Sequence, residues 1–229
     1  MYTPPAYAEA DPAALHAGMR AWSFATLVTA GAGGVQATHL PFLLDVQADG
    51  SSLLTTHLAQ KNPQLDDLRA GAEALVVFQG PHAFVTPRWY ARQGTFPTWN
   101  YTAIHARGRP RVIEERGAVQ AVLRRTVAQY ETPLRAQFGG DWDFDTMALD
   151  FVAPRLDMIA AVEIPVHALE GKFKLNQDRS EADRLGVIAA LERLGDAQGL
   201  AVAGLMRAQL DAARTGAERS IHMPVLQAP

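Results

Sequence analysis

Residues 23–46 read SFATLVTAGAGGVQATHLPFLLDV, and their order decides the fold. SFATLVTA is apolar and β-branched and reads as a strand, GAGG reads as a tight turn, and VQATHLPFLLDV reads as a second strand. Glycines behind a strand raise the question of a dinucleotide fingerprint. That fingerprint opens a helix, and here the chain runs directly into another strand. A doubly wound parallel sheet is therefore disfavoured from this stretch alone.

Working outward, DPAALHAGMRAW before it predicts a helix with Asp11 as N-cap and Pro12 at the first helical position. After it, SLLTTH is a third strand. A short helix follows, with Asn62 as its cap, Pro63 at its first position, Asp66 and Asp67 in its first turns and Gly71 as its stop. EALVVFQG reads as a buried strand with AFVTP pairing near it, and RWYARQGTFPTWNY as a loop leading to a long strand through AIHARGRPRVIEE. Residues 117–131 place Val119, Val122, Leu123, Val127 and Tyr130 at helical spacing. DWDFDTMALDFV reads as a loop and short helix, and IAAVEIPVHALEGKFKL as strand. Ser180 with Asp183 forms a capping-box pattern for a helix ending near Gly195, and an Ala/Leu helix runs to about residue 213. Strands dominate and helices interrupt them without strict alternation. The fold class is α+β, mainly β: an antiparallel barrel with packed helices.

Of 229 residues, 48% are hydrophobic and 20% charged, the balance of an ordinary globular protein. A formal charge of −3 argues against a strong non-specific grip on nucleic acid, while leaving a local basic patch open. No apolar run approaches the roughly 20 residues of a membrane span. MYTPPAYAEAD lacks the basic start and apolar core of a secretion signal, so a cytoplasmic location is expected. With no cysteine, disulfides, thiolate nucleophiles and Cys-ligated metal centres are excluded.

Four stretches carry candidate chemistry. In TTHLAQKNPQ, a strand ends in Thr55, Thr56 and His57, and a helix opens just beyond Lys61 and Asn62. Free backbone N–H groups, hydroxyls and an ammonium suit an anion. A capped helix beside a solvated lysine is the plainer alternative. In ATHLPF, Thr38 and His39 precede a strand proline, which marks an edge or bulge. His39 and His57 lack a third ligand at metal spacing, so no metal is expected. PTWNY, with Trp99 and Asn100, suits stacking on a flat ring and equally suits a dimer interface. In GKFKLNQ, alternation puts Lys172, Lys174 and Asn176 on one face, either to read an anionic ligand or to guard an exposed edge. Lys61, Lys172 and Lys174 are the only lysines among 21 basic residues, which marks these places further.

Taken in order, MYTPPAY, FATLVT, ATHLPFLL, HLA with Asn62-Pro63-Gln64, VVFQGPHAFVTPRWY, PTWNY and GKFKLNQDRSEADRLGV resemble the PaiB-like proteins, described as FMN-binding negative transcriptional regulators. The resemblance covers roughly residues 1–195. It implies a six-stranded antiparallel split barrel related to pyridoxamine-phosphate oxidase, a homodimer, and FMN held at the subunit interface. The expected organisation is an FMN-binding barrel over residues 1–175, C-terminal helices over 176–214 packed on it, and a loose tail over 215–229. By resemblance, Thr38 and His39 lie along the flavin ring, and Thr55, Thr56, His57, Lys61 and Asn62 form the phosphate site. Trp99, Asn100, Lys172 and Lys174 complete the cofactor-binding set. The chain departs from the family's pattern at Gln60, where a basic residue is common and the charge instead falls on Lys61. The loop ARQGTF is shorter than usual, and GKFKLNQDR differs from the common GKWKxSQNR at Phe173, Asn176 and Asp178. The implied function is flavin-dependent negative regulation, with DNA contacted weakly or indirectly because no helix-turn-helix signature is present. The alternatives are an FMN-dependent oxidoreductase acting on a small molecule and a haem-handling protein using His39 or His57. No residue stands out as general acid or base for a named substrate, and flavin chemistry asks for little of either.

Overall fold

The structure, a computed structural model, describes residues 1–92, 94–140, 142–147 and 151–215. Its strands are β1 (Ala8–Glu9), β2 (Phe24–Gly31), β3 (Gly34–Pro41), β4 (Leu43–Val46), β5 (Ser52–Ala59), β6 (Ala74–Val85), β7 (Thr98–Gly108), β8 (Arg111–Ile113) and β9 (Ile159–Lys174). Its helices are α1 (Pro12–Ala21), α2 (Gln64–Arg69), α3 (Arg116–Phe138), α4 (Phe144–Met147), α5 (Glu181–Leu194) and α6 (Ala197–Thr215). The strands join in one sheet of order β3-β2-β6-β7-β9-β5-β4, with β1 and β8 also pairing β9. The two ends of this path, β3 and β4, are neighbours in the chain, separated only by Phe42. Among the described residues no ladder joins these ends, so the sheet is open, as in a split barrel. It holds nine strands where six are expected, the short β1 and β8 among them.

The chain divides into two compact units. The first contains Met1–Trp22, Phe78–His105 and the chain from Leu169 onward; the second contains Ser23–Val77 and Ala106–Ala168. The long strands β6, β7 and β9 contribute to both.

In the first unit, α1 starts where its cap is read: the Asp11 carboxylate accepts from the N–H groups of Ala13 and Ala14 at 3.0 and 3.2 Å. Its Met19 is buried, and Trp22 beyond its end lies 6.0 Å from the ring of Phe173 on β9. Gly80 makes room for that indole. A Cβ there would stand 2.2 Å from Thr102 Oγ1 and 2.5 Å from the Trp22 ring. Ser180 caps α5 by accepting from the Asp183 N–H at 3.2 Å, as its spacing predicts.

In the second unit, β2 and β3 form the hairpin read from residues 23–46, with Thr26 opposite His39 and Val28 opposite Ala37. β5 pairs with β9 along its whole length, from Ser52 opposite Val166 to Ala59 opposite Ile159. The core gathers Leu27, Leu54, Leu58, Leu65, Leu68 and Ile164, all essentially without exposure. A smaller cluster of Val119, Val122, Leu156 and Ala161 seats α3.

Several local expectations are corrected. VQATHLPFLLDV is two strands: β3 stays in register with β2 through Pro41 opposite Phe24, the Phe42 N–H adding one more bond to the Ser23 carbonyl at 2.8 Å, and from Leu43 opposite Thr55 the chain pairs with β5 instead. AFVTP is not a separate pairing strand, since β6 runs unbroken through Pro81 to Val85. The helix over 117–131 extends to Phe138 through Pro133, and Tyr130 on it is 38% exposed. Asn176 leaves the strand at φ +60°, so it does not share a face with Lys172 and Lys174. From residue 216 onward, the expected loose tail lies outside the described residues, as does Gln93 of the ARQGTF loop. Among the described residues, no helix is long and apolar enough to cross a membrane.

Candidate functional site

β5 alternates, and alternation splits the threonine pair. Thr56 belongs with Leu54 and Leu58 on the face with no exposure, and its hydroxyl donates to the Pro41 carbonyl at 2.7 Å. Thr55 and His57 share the opposite face. The Thr55 hydroxyl and the His57 Nδ1 are both buried and have no hydrogen-bond partner. Burial lowers the His57 pKa from the ordinary imidazole value, so the ring is held neutral. Two buried polar groups on one face that find no partner among the described residues leave a place that a ligand can complete.

Beyond β5, Asn62 acts at both ends of its amide. Its Oδ1 accepts the Gln64 N–H at 2.9 Å, the cap expected of it, two residues ahead of the start of α2 with Pro63 between them already in helical geometry. Its Nδ2 donates to Thr38 Oγ1 at 3.0 Å. Because the Thr38 hydroxyl accepts there, its own proton remains free to donate. Lys61 is exposed beside this pair and makes no ion pair among the described residues. Gln60, the departure from the family pattern, accepts from Arg69 at 2.7 Å, and Arg69 also pairs with Glu114 at 2.6 Å. That hydrogen bond from Arg69 pulls the Glu114 carboxyl below its usual range.

Thr38 and His39 point to opposite faces of β3. Thr38 and Gln36 face α2, whereas His39 is exposed on the outer side, its Nδ1 2.9 Å from Thr26 Oγ1 and its ring stacked on Phe24. The second unit therefore joins Thr38 to Asn62, leaves Lys61 exposed next to Asn62 in the chain, and aligns Thr55 with His57. It sends His39 and Thr56 elsewhere.

Two residues not singled out from the sequence hold this corner. Gln64 is fully buried, and its Nε2 donates to Leu27 O and Thr29 Oγ1 at 3.2 Å and to Gln36 O at 3.3 Å. Asp67, read from the sequence only as an acid in the first turns of the helix, is buried. It accepts from Thr29 Oγ1 at 2.7 Å and from Gln36 Nε2 at 3.3 Å. A Cβ on Gly31 would fall 1.7 Å from its Oδ1. The readable signal was periodicity: Gln64, Leu65, Asp67 and Leu68 are the buried face of α2.

In the first unit, Trp99, Lys172 and Lys174 lie on the outward face of β7 and β9, and Asn100 does not. Asn100 is fully buried, with its Nδ2 donating to Asn176 Oδ1 at 2.5 Å and to Met206 Sδ at 3.4 Å. Asn176 in turn donates to the Tyr90 hydroxyl at 3.0 Å, so this amide pair ties β7 to the turn after β9 and to α6. Lys174 Nζ donates to Thr98 Oγ1 and to the Trp99 carbonyl, both at 2.6 Å, and lies 5.7 Å from the Tyr7 ring. Burial lowers its pKa, opposed by the nearby Asp178. Among the described residues, no set of three or more His, Asp or Glu side chains converges as metal ligands would.

The split antiparallel barrel carries an unpartnered hydroxyl and imidazole on one strand, a place for a ligand, and the comparisons give the class of protein. Residues 1–168 match the family described as "Putative FMN-binding domain". The chain belongs to this family, and FMN is its cofactor. It is 31% identical over 191 residues to the protease synthase and sporulation protein PAI 2 of Bacillus subtilis (strain 168), covering 82% of this chain and 87% of that protein. It is also 31% identical over 205 residues to the uncharacterized protein AN0679 of Emericella nidulans, covering 76% and 81%. Among solved structures, it resembles the FAD and heme binding protein from Mycobacterium smegmatis, with TM-score 0.55, 18% identity and 80% of each chain covered. It also resembles the flavocytochrome Anf3 from Azotobacter vinelandii, with TM-score 0.54, 14% identity and coverage of 73% and 69%. At these identities the two structures speak for the fold alone.

The donor set fits FMN. Hydroxyls, one amide, a neutral imidazole and an exposed ammonium suit ribityl hydroxyls and phosphate oxygens, and no carboxylate among them would repel the phosphate.

Proposed function

We propose that the protein is an FMN-binding homodimer that acts in negative regulation by reading FMN, without itself gripping DNA. The observation that carries the flavin assignment is the unpartnered pair on one face of β5, Thr55 Oγ1 and His57 Nδ1, on the strand that leads to Lys61 and to Asn62, whose amide holds Thr38. In this reading Lys61 and Thr38 hold the phosphate, Asn62 fixes Thr38, and Thr55 and neutral His57 take the ribityl hydroxyls. When bound, FMN supplies redox chemistry at its ring; the chain binds it, orients it and excludes water. The homodimer is supported by the outer face of the β2–β3 hairpin, where Phe24 is 69% and Val35 77% exposed. A formal charge of −3 supports regulation without direct DNA affinity.

The test combines three measurements on the full chain. Titration with FMN and riboflavin, followed by flavin absorbance and fluorescence, should show FMN preferred at least tenfold. Light scattering should give twice the chain mass at micromolar concentration. Fluorescence titration with duplex DNA at physiological salt should show only weak, non-specific binding. Equal affinity for the two flavins would remove the phosphate site, a monomer would remove the dimer, and nanomolar sequence-selective binding would make direct repression the function.

A further inference from the structure

The outward face of the first unit carries a second constellation. Phe84 on β6 meets the Trp99 ring edge-on at 5.8 Å, and His82 lies 6.1 Å from the same indole. On β9, Lys172 Nζ stands 5.2 Å from the Tyr101 ring and 5.7 Å from the Tyr2 ring, and donates to Tyr2 O at 3.2 Å. Lys174 sits two residues along, against Tyr7. Trp99 is 53% exposed, Phe84 47% and Tyr2 85%.

The charges make this face more than an apolar patch. Lys172 and Lys174 are outward neighbours on one strand, their Cα atoms about 7 Å apart. Burial, with the neighbouring Lys172 behind it, lowers the preference of Lys174 for its charge, and Asp178 opposes them. Every hydrogen bond that these ammonium groups make runs to a neutral oxygen, of Thr98, Trp99 or Tyr2. Asp178, the nearby carboxylate, is ion-paired with Arg179 at 3.6 Å. Glu170, two residues before Lys172 on β9, is ion-paired with the N-terminal ammonium at 2.8 Å. Two like charges over the Tyr2, Tyr7 and Tyr101 rings, with the neighbouring carboxylates already paired, are complementary to an anion that brings a flat apolar surface with it.

We propose that this face binds a planar aromatic anion as a second ligand, distinct from FMN, stacking on Trp99 with its charge between Lys172 and Lys174. The ring supplies contact with Trp99 and Phe84, and the anionic group relieves the repulsion of the two ammonium groups. Neither half suffices. A neutral aromatic leaves the charges unanswered, and a small anion gains no stacking. The proposal takes Trp99, Lys172 and Lys174 out of the cofactor-binding set that the resemblance implies and gives them to a second ligand, which titration without flavin follows by itself.

The test is calorimetric titration of the full chain with 2-naphthoate, the neutral 2-naphthalenemethanol and acetate, with and without saturating FMN. The expected result is saturable 2-naphthoate binding at least tenfold tighter than either control and unchanged by FMN. Lys172→Met and Lys174→Met should each weaken 2-naphthoate about tenfold or more and leave the neutral alcohol unchanged. Trp99→Leu should weaken both aromatics. Thermal melts and light scattering of each variant separate binding from folding and assembly. Equal affinity for 2-naphthoate and the alcohol overturns the proposal. So does displacement by FMN, which would return the face to the flavin site. A change of oligomeric state in Trp99→Leu also overturns it, making the face a contact between copies.

Discussion

The β5–α2 corner of the second unit and the aromatic–lysine face of the first solve opposite problems. In the corner, short neutral groups are buried, and some are left without partners: Thr55 Oγ1 and His57 Nδ1 have none. On the face, long cationic side chains are half-buried, every ammonium has neutral oxygens, and only charge is left unanswered. A buried polar atom without a partner costs about 1–3 kcal/mol, so the corner has much to gain from a ligand and little latitude in its geometry. A half-buried lysine that keeps neutral oxygen partners costs little, so the face can select by charge and ring while tolerating different shapes. Rigid unsatisfied groups thus suit a resident cofactor, and flexible cations suit a ligand that comes and goes.

The widest contrast between the regions should come from Lys61→Ala. A hydrogen bond to a charged group contributes roughly 1.5–3 kcal/mol, which at about 1.4 kcal/mol per tenfold predicts FMN weakened by about 10- to 150-fold. Riboflavin, lacking the phosphate, should hardly change, and neither should 2-naphthoate. Parallel titrations of both flavins check this, and an equal loss for both would move Lys61 from phosphate to ring or fold.

Stability separates the units next. Gly80→Ala drives a methyl into the Trp22 ring and Thr102 of the first unit, and Gly31→Ala drives one into Asp67 of the second. Each should cost about 1–3 kcal/mol, or roughly 3–10 °C in Tm. Gly31→Ala should also weaken FMN, because Asp67 and Gln64 hold the hairpin against α2, while Gly80→Ala should leave FMN unchanged. Flavin titration beside thermal melts tests the pairing. Loss of FMN in Gly80→Ala alone would reverse the roles given to the two units.

Thr55→Val and Thr56→Val sharpen the comparison within one strand. Removing the unpartnered Thr55 hydroxyl should leave stability unchanged or raise it, and weaken FMN about 2- to 12-fold. Removing the Thr56 hydroxyl strands the Pro41 carbonyl and should cost about 1 kcal/mol with little effect on FMN. Chemical denaturation and flavin titration of the two variants should give opposite patterns.

The smallest effect is in acid. Burial lowers the pKa of His16 in the first unit and of His57 in the second below 6.5, with Arg20 adding to the shift at His16. The unfolded chain takes up protons near that pH that the folded chain refuses. Stability should therefore be full above about pH 7 and fall as the pH drops through 6.5 toward the lower folded values. Denaturation midpoints between pH 7.5 and 5 should flatten partly in His16→Gln and partly in His57→Gln. A slope unchanged in both variants would place the acid sensitivity elsewhere.

By itself the sequence determined what depends on near neighbours. Asp11 before Pro12, Ser180 before Asp183, the hairpin around GAGG and the two-residue alternation of the strands all act over a few residues, and each holds in the structure. Alternation also guaranteed that Thr55 and His57 would part from Thr56, and Thr38 from His39. Which side would be core is not a local property, because it depends on strands distant in the chain. Only the tertiary structure put Thr56 against Pro41, drew Asp67 into contact with Thr29 and Gln36, and locked Asn176 onto Asn100 and Tyr90 at a positive φ. A polar side chain in a sequence carries the same donors wherever it lies, and packing alone decides whether those donors face water, the fold or a ligand.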